Sequence, residues 1–180
     1  MSRISIILPI YNVENYIRQS LDSLINQTFK DIEIICVDDC SPDNSVSIIK
    51  EYAKNDNRIK LIELEQNAGQ GNARNVGIEA STSEYIMFLD PDDWFEIDAC
   101  EKAYNQITQN NNEFVVFDFY RYYEERNEKE IDCNFSKLFD TKLKSFNPRE
   151  CDFQFLTNGF TWNKSHISKQ LDFKNPDNVK

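Results

Sequence analysis

Apolar and polar positions along this chain change rhythm in blocks. "RISIILPI" (residues 3–10) is an almost unbroken apolar run, ended by Pro9, which reads as a short strand buried on both faces. "VENYIRQSLDSLINQT" (13–28) repeats at helical spacing and puts Val13, Ile17, Leu21, Leu24 and Ile25 on one face. "IEIICVDD" (32–39) and "IKLIEL" (59–64) return to the strand pattern. Between them, "SPDNSVSIIKEYAKN" (41–55) opens with capping residues and carries Val46, Ile49 and Ala53 at helical positions. The pattern then predicts a glycine-started helix in "GQGNARNVGIEAS" (69–81), a strand in "YIMFL" (85–89), a helix in "FEIDACEKAYNQITQN" (95–110) and a strand in "EFVVFDFY" (113–120).

Such alternation implies right-handed βαβ units, hence an α/β fold with a mainly parallel central sheet and helices on both faces. Ligands of such sheets bind beyond the carboxyl ends of the strands. Pro9–Asn12, Asp38–Asp39 and Asp90–Asp92 all fall at strand ends and are expected to meet on one rim. Past residue 120 the rhythm loosens. "RYYEERNEKEID" (121–132) is a charge run, read as a solvated helix face or loop, and 145–167 is aromatic without a clear period. No repeat or low-complexity tract interrupts the chain.

Length and composition narrow the function. The 180 residues suffice for one domain with a core, and 40% hydrophobic with 28% charged residues is ordinary for a globular protein. The formal charge of -11 argues against a nucleic-acid partner, since a polyanion is repelled. A small phosphorylated ligand stays open, because a metal ion can mediate. No apolar run reaches the length of a transmembrane helix, and the N-terminal segment reads as a strand, not a signal peptide. Five cysteines without CxxC spacing point to reduced thiols, as in the cytosol, not to a zinc site or disulfide framework.

Asp90-Pro91-Asp92-Asp93 ends a buried strand by crowding negative charge. Two carboxylates flanking one residue can hold Mg²⁺ or Mn²⁺ together with substrate phosphates. They can equally form a loop with an Asp cap before the next helix. Of Asp38 and Asp39, one can cap a turn with Ser41 while the other accepts from a base or sugar donor. "NAGQGNARN" offers backbone amides near a helix start, suited to an anion, without a Walker or GxGxxG pattern. Arg74 can reach that rim or form a surface ion pair. His166 is the lone histidine and is read as incidental, and Phe160 and Trp162 as core before acceptor platform.

In combination, "ISIILPIYNVENYIRQSLDSLINQTFKDIEIICVDDCSPDNS" and "NAGQGNARNVGIEASTSEYIMFLDPDDW" resemble glycosyltransferase family 2. The resemblance covers residues 3–120 most closely and reaches about 170 through "TWNKSHI". It implies the GT-A fold, a Rossmann-like sandwich, with a nucleotide-sugar donor core over 1–120 and a partial acceptor side over 121–180. It implies sugar transfer from a nucleotide-diphosphate sugar, often a UDP-sugar, to a glycan or lipid-linked saccharide acceptor, by inverting displacement with Mg²⁺ or Mn²⁺. Pro9, Tyr11, Asn12 and Glu14 match the start of the nucleotide pocket, with Tyr11 beside the base. Asp39 matches the residue that accepts the base ring N–H. Asn67, Gly69 and Arg74 match the stretch bordering nucleotide and diphosphate. Asp90 matches the ribose-side acid of the metal pair, Asp92 its metal-side acid, and Asp93 the acid that often follows.

The family's general base lies in an acidic motif beyond a Trp-Asn-Lys-like segment. Here Trp162-Asn163-Lys164 is present, and after it Asp172 and Asp177 stand outside any Glu-Asp pair. A truncated chain is therefore expected, with the base beyond residue 180. By the same resemblance the protein is expected in a bacterial cytoplasm, in cell-surface polysaccharide synthesis. Peripheral membrane association through a missing C-terminal part fits that expectation. Two other readings compete. A nucleotidyltransferase needs a glycine-rich basic early loop, which "LPIYNVENY" lacks. A non-catalytic nucleotide-sugar binder or an Asp38–Asp39 receiver domain is the other.

Overall fold

The computed structural model describes residues 2–109, 114–116, 119–123, 126–132 and 160–163. Strands β1 (Ile4–Ile10), β2 (Ile32–Asp38), β3 (Ile59–Glu63) and β4 (Tyr85–Phe88) alternate with helices α1 (Ile17–Ile25), α2 (Ser45–Asn55) and α3 (Gln70–Ala80). Helix α4 (Ala99–Gln109) and strands β5 (Phe114–Val116), β6 (Phe119–Tyr123), β7 (Glu128–Asp132) and β8 (Phe160–Asn163) follow. The main sheet runs β3-β2-β1-β4-β8-β5. Strands β1 to β4 are mutually parallel, and β8 lies antiparallel between β4 and β5.

Strand parity decides which helix covers which face. Ile4, Ile6 and Leu8 of β1 pack with Ile34, Cys36, Tyr85 and Met87 against Ile17, Leu21 and Leu24 of α1, Ile49 of α2 and Cys100, Ala103 and Ile107 of α4. The alternate positions turn to α3. There an added Cβ on Gly77 would stand 2.4 Å from Ile7 Cγ2, so only glycine lets the helix approach β1 this closely. Strands covered on both faces explain the near-continuous apolar runs of β1 and β2.

A buried carboxylate fastens the opposite end of the sheet. Glu33 accepts from Ser5 Oγ at 2.6 Å, the Thr82 backbone N–H at 2.7 Å and Lys60 Nζ at 2.6 Å. It thereby ties β1, β2, β3 and the turn before β4 together. Burial by itself raises its carboxyl, but hydrogen bonds from Lys60, Ser5 and Thr82 outweigh that and hold it at about 2.

Three readings change. Strand β1 runs through Pro9 to Ile10, with Pro9 opposite Val37. Pairing with β4 stops at Ile7–Phe88, so the missing N–H of Pro9 falls where no β4 ladder needs it. The strand read over 113–120 is two strands in two sheets, β5 in the main one and β6 in a hairpin. The charge run is the other half of that change: β6 and β7 pair antiparallel, Phe119 with Asp132 through Tyr123 with Glu128. Tyrosines supply strand propensity that the charges obscure. Lys164, His166, Asp172, Asp177, Cys133 and Cys151 lie outside the described residues. Among the described residues no helix is long and apolar enough to cross a membrane.

Gly77→Ala should lower stability by about 1–3 kcal/mol through overpacking against Ile7, read as a fall in the denaturant midpoint. Glu33 makes a second test. A carboxyl held below its unfolded value stabilises the fold at pH above that unfolded value. Its contribution should fade as pH drops from about 4.5 towards about 2. Glu33→Gln should flatten the acid limb of a stability-against-pH curve in that window and cost about 1–3 kcal/mol at neutral pH.

Candidate functional site

The carboxyl ends of β1, β2 and β4 open onto one cleft of about 360 Å³, within the usual range for a small-ligand site. Pro9, Ile10 and Tyr11 line it from the end of β1, Asp39 from the end of β2, and Pro91 and Asp92 from the loop after β4. Asn67, Gly69, Gln70 and Ala73 line it from the start of α3. The rim anticipated from the strand ends is therefore assembled, and three separate stretches of sequence meet there.

The two aspartates after β2 do different things because successive residues face opposite sides. Asp38 accepts from the Ser41 backbone N–H at 3.2 Å and caps the turn. Asp39 points to the α3 side and is 3% exposed. Its two oxygens accept the N–H groups of Ala68 and Gly69, each at 2.8 Å. Asn67 Nδ2 in turn donates to the Asp39 carbonyl at 3.1 Å. The clamp needs a left-handed backbone at Gly69 (φ 87), which glycine adopts without strain. Two non-glycine rim residues, Asn12 (φ 55) and Cys40 (φ 62), share that uncommon region. Strain of this kind collects at functional sites.

Across the cleft, Arg74 is buried and its Nη2 lies 2.6 Å from Asp90 Oδ1. Gln70 Nε2 donates to the same oxygen at 3.1 Å. Arg74 therefore forms a largely buried pair, not a surface one. Asp92, two residues on, is exposed and lines the cleft. The Asp93 carboxyl is pushed up to about 6, by desolvation first and then by Asp92 and Asp90 beside it. Such crowding is a store of negative potential at one corner of the cleft.

Carboxylate oxygens in this number suit a hard divalent cation. Among the described residues, however, no three His, Cys, Asp or Glu side chains converge as a metal centre. The donor set fits a cation held by one or two carboxylates, Asp92 foremost and Asp90 beside it, and completed by ligand oxygens.

Not every residue expected at the site lines it. Glu14 turns away: its carboxylate accepts the Asn44 backbone N–H at 2.9 Å and Asn44 Nδ2 at 2.8 Å. It fixes the entry to α2 and is not among the residues that line the cleft. Asn12 stays on the rim with its backbone N–H 3.3 Å from Ser41 Oγ, and it is not among the lining residues. Gln70 was not singled out from the sequence, although it stands four residues before Arg74. That i, i+4 spacing puts both side chains on one helical face, and it is the signal that pairs them. The general base has no candidate among the described residues that the cleft singles out.

The family model for glycosyl transferase family 2 matches residues 5–171. EpsH of Bacillus subtilis is 39% identical over 169 residues, covering 94% of this chain and 48% of that protein. The crystal structure of Staphylococcus aureus TarS 1–349 superposes with a TM-score of 0.78 at 23% identity, covering 98% of this chain and 53% of that one. TarS 1–349 is also known in complex with UDP and with UDP-GlcNAc. A mannosyltransferase of Pyrobaculum calidifontis, in complex with GDP-Man and Mn²⁺, superposes with a TM-score of 0.67 at 18% identity, covering 93% and 46% of the two chains. These superpositions identify the fold as GT-A. The chain spans about half the length of EpsH. With a family match over residues 5–171 and a GT-A sheet, the chain belongs to glycosyl transferase family 2.

Proposed function

We propose that the chain is the donor-binding half of a glycosyltransferase that moves a sugar from a UDP-sugar to a glycan or lipid-linked saccharide acceptor. The observation that carries the proposal is the single cleft on which Tyr11, Asp39, the Asn67–Gln70 turn and Asp92 converge. Tyr11 is 51% exposed beside that cleft, so its ring is available to a flat base. A carboxylate oxygen has two lone pairs, and Asp39 uses its oxygens on two backbone amides. It retains capacity to accept a ring N–H of uracil. In this reading Asp90 lies towards the ribose and Asp92 towards the diphosphate. The family resemblance and the UDP and UDP-GlcNAc complexes of TarS support the choice of nucleotide.

Asp92 and Asp90 are the residues that would hold Mg²⁺ or Mn²⁺. Such an ion supplies positive charge against the leaving diphosphate as the sugar C1–O bond breaks. Without that charge the carboxylate corner repels the ligand it is meant to hold. The acceptor hydroxyl is taken to attack C1 from the face opposite the diphosphate, which inverts the anomeric centre, while a carboxylate base removes its proton. In this reading the described cleft supplies the donor side of that transfer.

Titration calorimetry with UDP, GDP, ADP and CDP in Mn²⁺ tests the donor assignment. UDP should bind tightest, and Asp39→Ala should reduce the preference for UDP as well as the affinity. Binding of none of the four removes the assignment. Asp92→Asn keeps the shape and deletes a charge. It should weaken Mn²⁺-dependent UDP binding by about tenfold or more, in line with loss of one carboxylate ligand, while the melting curve stays near that of the parent. An unchanged Mn²⁺ dependence removes Asp92 from the role.

A further inference from the structure

We propose that Arg74 makes cation binding at the rim conditional on the nucleotide, by holding Asp90 as its own counter-ion. The inference rests on the donor-site reading above and adds an order of assembly to it. The Arg74 side chain is 6% exposed and that of Asp90 20%, and Nη2 stands 2.6 Å from Oδ1. A charge-assisted bond of this length, away from water, is among the stronger side-chain contacts. Guanidinium does not lose its proton in proteins, so the positive charge beside Asp90 is permanent. Gln70 adds a second donor to the same oxygen.

Arg74 cannot easily swing aside. Its helix is pinned against β1 at Gly77, where an added Cβ would stand 2.4 Å from Ile7. The start of that helix is held by the Asp39 clamp on Ala68 and Gly69. A cation arriving alone thus meets a fixed positive charge that already occupies one of its two best carboxylates. Among the described residues no three carboxylate, His or Cys side chains are arranged to hold a metal by themselves. A nucleoside diphosphate changes the balance, since its anionic oxygens supply the missing ligands and offset the guanidinium. Arg74 also has donor capacity left: its Nε is buried without a hydrogen-bond partner. The ion pair therefore keeps an acidic corner, in a chain of formal charge -11, from collecting divalent cations when no donor is present.

Calorimetry with Mn²⁺ in the absence and presence of UDP tests this on the parent chain. Mn²⁺ alone should bind weakly, and saturating UDP should tighten it by roughly tenfold or more, within the usual range of site-to-site coupling. Arg74→Gln, with its fold checked by circular dichroism, should bind Mn²⁺ alone several-fold tighter than the parent and show a smaller gain from UDP. Asp90→Asn removes the counter-ion and leaves the Arg74 charge uncompensated beside the site, so it should weaken UDP-free Mn²⁺ binding below that of the parent. Adding Asp90→Asn to Arg74→Gln should erase the gain. The proposal is overturned if the parent binds Mn²⁺ equally well with and without UDP. A folded Arg74→Gln that binds Mn²⁺ alone no tighter than the parent overturns it too. So does a folded Asp90→Asn that binds Mn²⁺ alone as tightly as the parent, and this last test stands even where Arg74→Gln does not fold. Failure of UDP to bind at all, with Mn²⁺ present, is a different result: it removes the donor-site reading itself.

Discussion

The contact between α3 and β1 is the constraint on which the rim depends. Gly77 has no side chain at the point where Ile7 fills the space, and so α3 settles directly on the sheet. From that seat its first turn reaches the ends of β2 and β4 together. Asp39 grips the amides that open the helix, while Gln70 at its first position and Arg74 one turn further on grip Asp90. Helix α3 is thus a strut between two carboxylate clusters that would otherwise be separate loop ends. Its length and fit fix the gap in which a ligand has to lie.

Electrostatics then explains why the strut is built from these residues. Carboxylates at a rim face both solvent and the low-dielectric sheet, and uncompensated charge there is costly. Each is answered in its own way. Asp38 and Asp39 are answered by backbone N–H groups, and Asp90 by a guanidinium. Asp92 lies open to the cleft, and the Asp93 carboxyl is pushed up to about 6, first by desolvation and then by Asp92 and Asp90. The same logic governs the far end of the sheet with the opposite outcome. There Glu33 has so many donors that its carboxyl is held low, at about 2, and the group serves the fold.

The segment after the carboxylates is anchored separately. Gln27 is fully buried, donates to the Glu96 carbonyl at 2.8 Å and accepts the Cys100 N–H at 2.9 Å. Ser23 Oγ accepts the Phe95 N–H at 3.1 Å. Helix α1 therefore holds the exit from the carboxylate loop, as α3 holds its entrance. On the outer side the β6–β7 hairpin meets the same loop, with Trp94 edge-on to Tyr122 and Lys129 2.7 Å from Glu96. The loop carrying Asp92 and Asp93 is fixed from three directions before any ligand arrives.

The sequence by itself determined the parallel strands, their helices and the rim on which they end. Those features follow from local hydrophobic rhythm, and the strand ends of an α/β sheet meet on one edge by topology alone. It named both acidic clusters and Arg74, because charge after a buried strand stands out in one dimension. Residue pattern alone, without the family resemblance, did not separate Asp38 from Asp39, since their roles depend on which face of the sheet each meets. Only the packed structure assigned Asp38 to the Ser41 turn and Asp39 to the α3 clamp. Nor did it assign Glu14, whose partner Asn44 is thirty residues away in sequence, or the hairpin, whose charges obscured its tyrosines. Hydrophobic periodicity is local and survives in the chain. The pairing of one polar atom with another is a property of three-dimensional distance, and only the tertiary structure decided it.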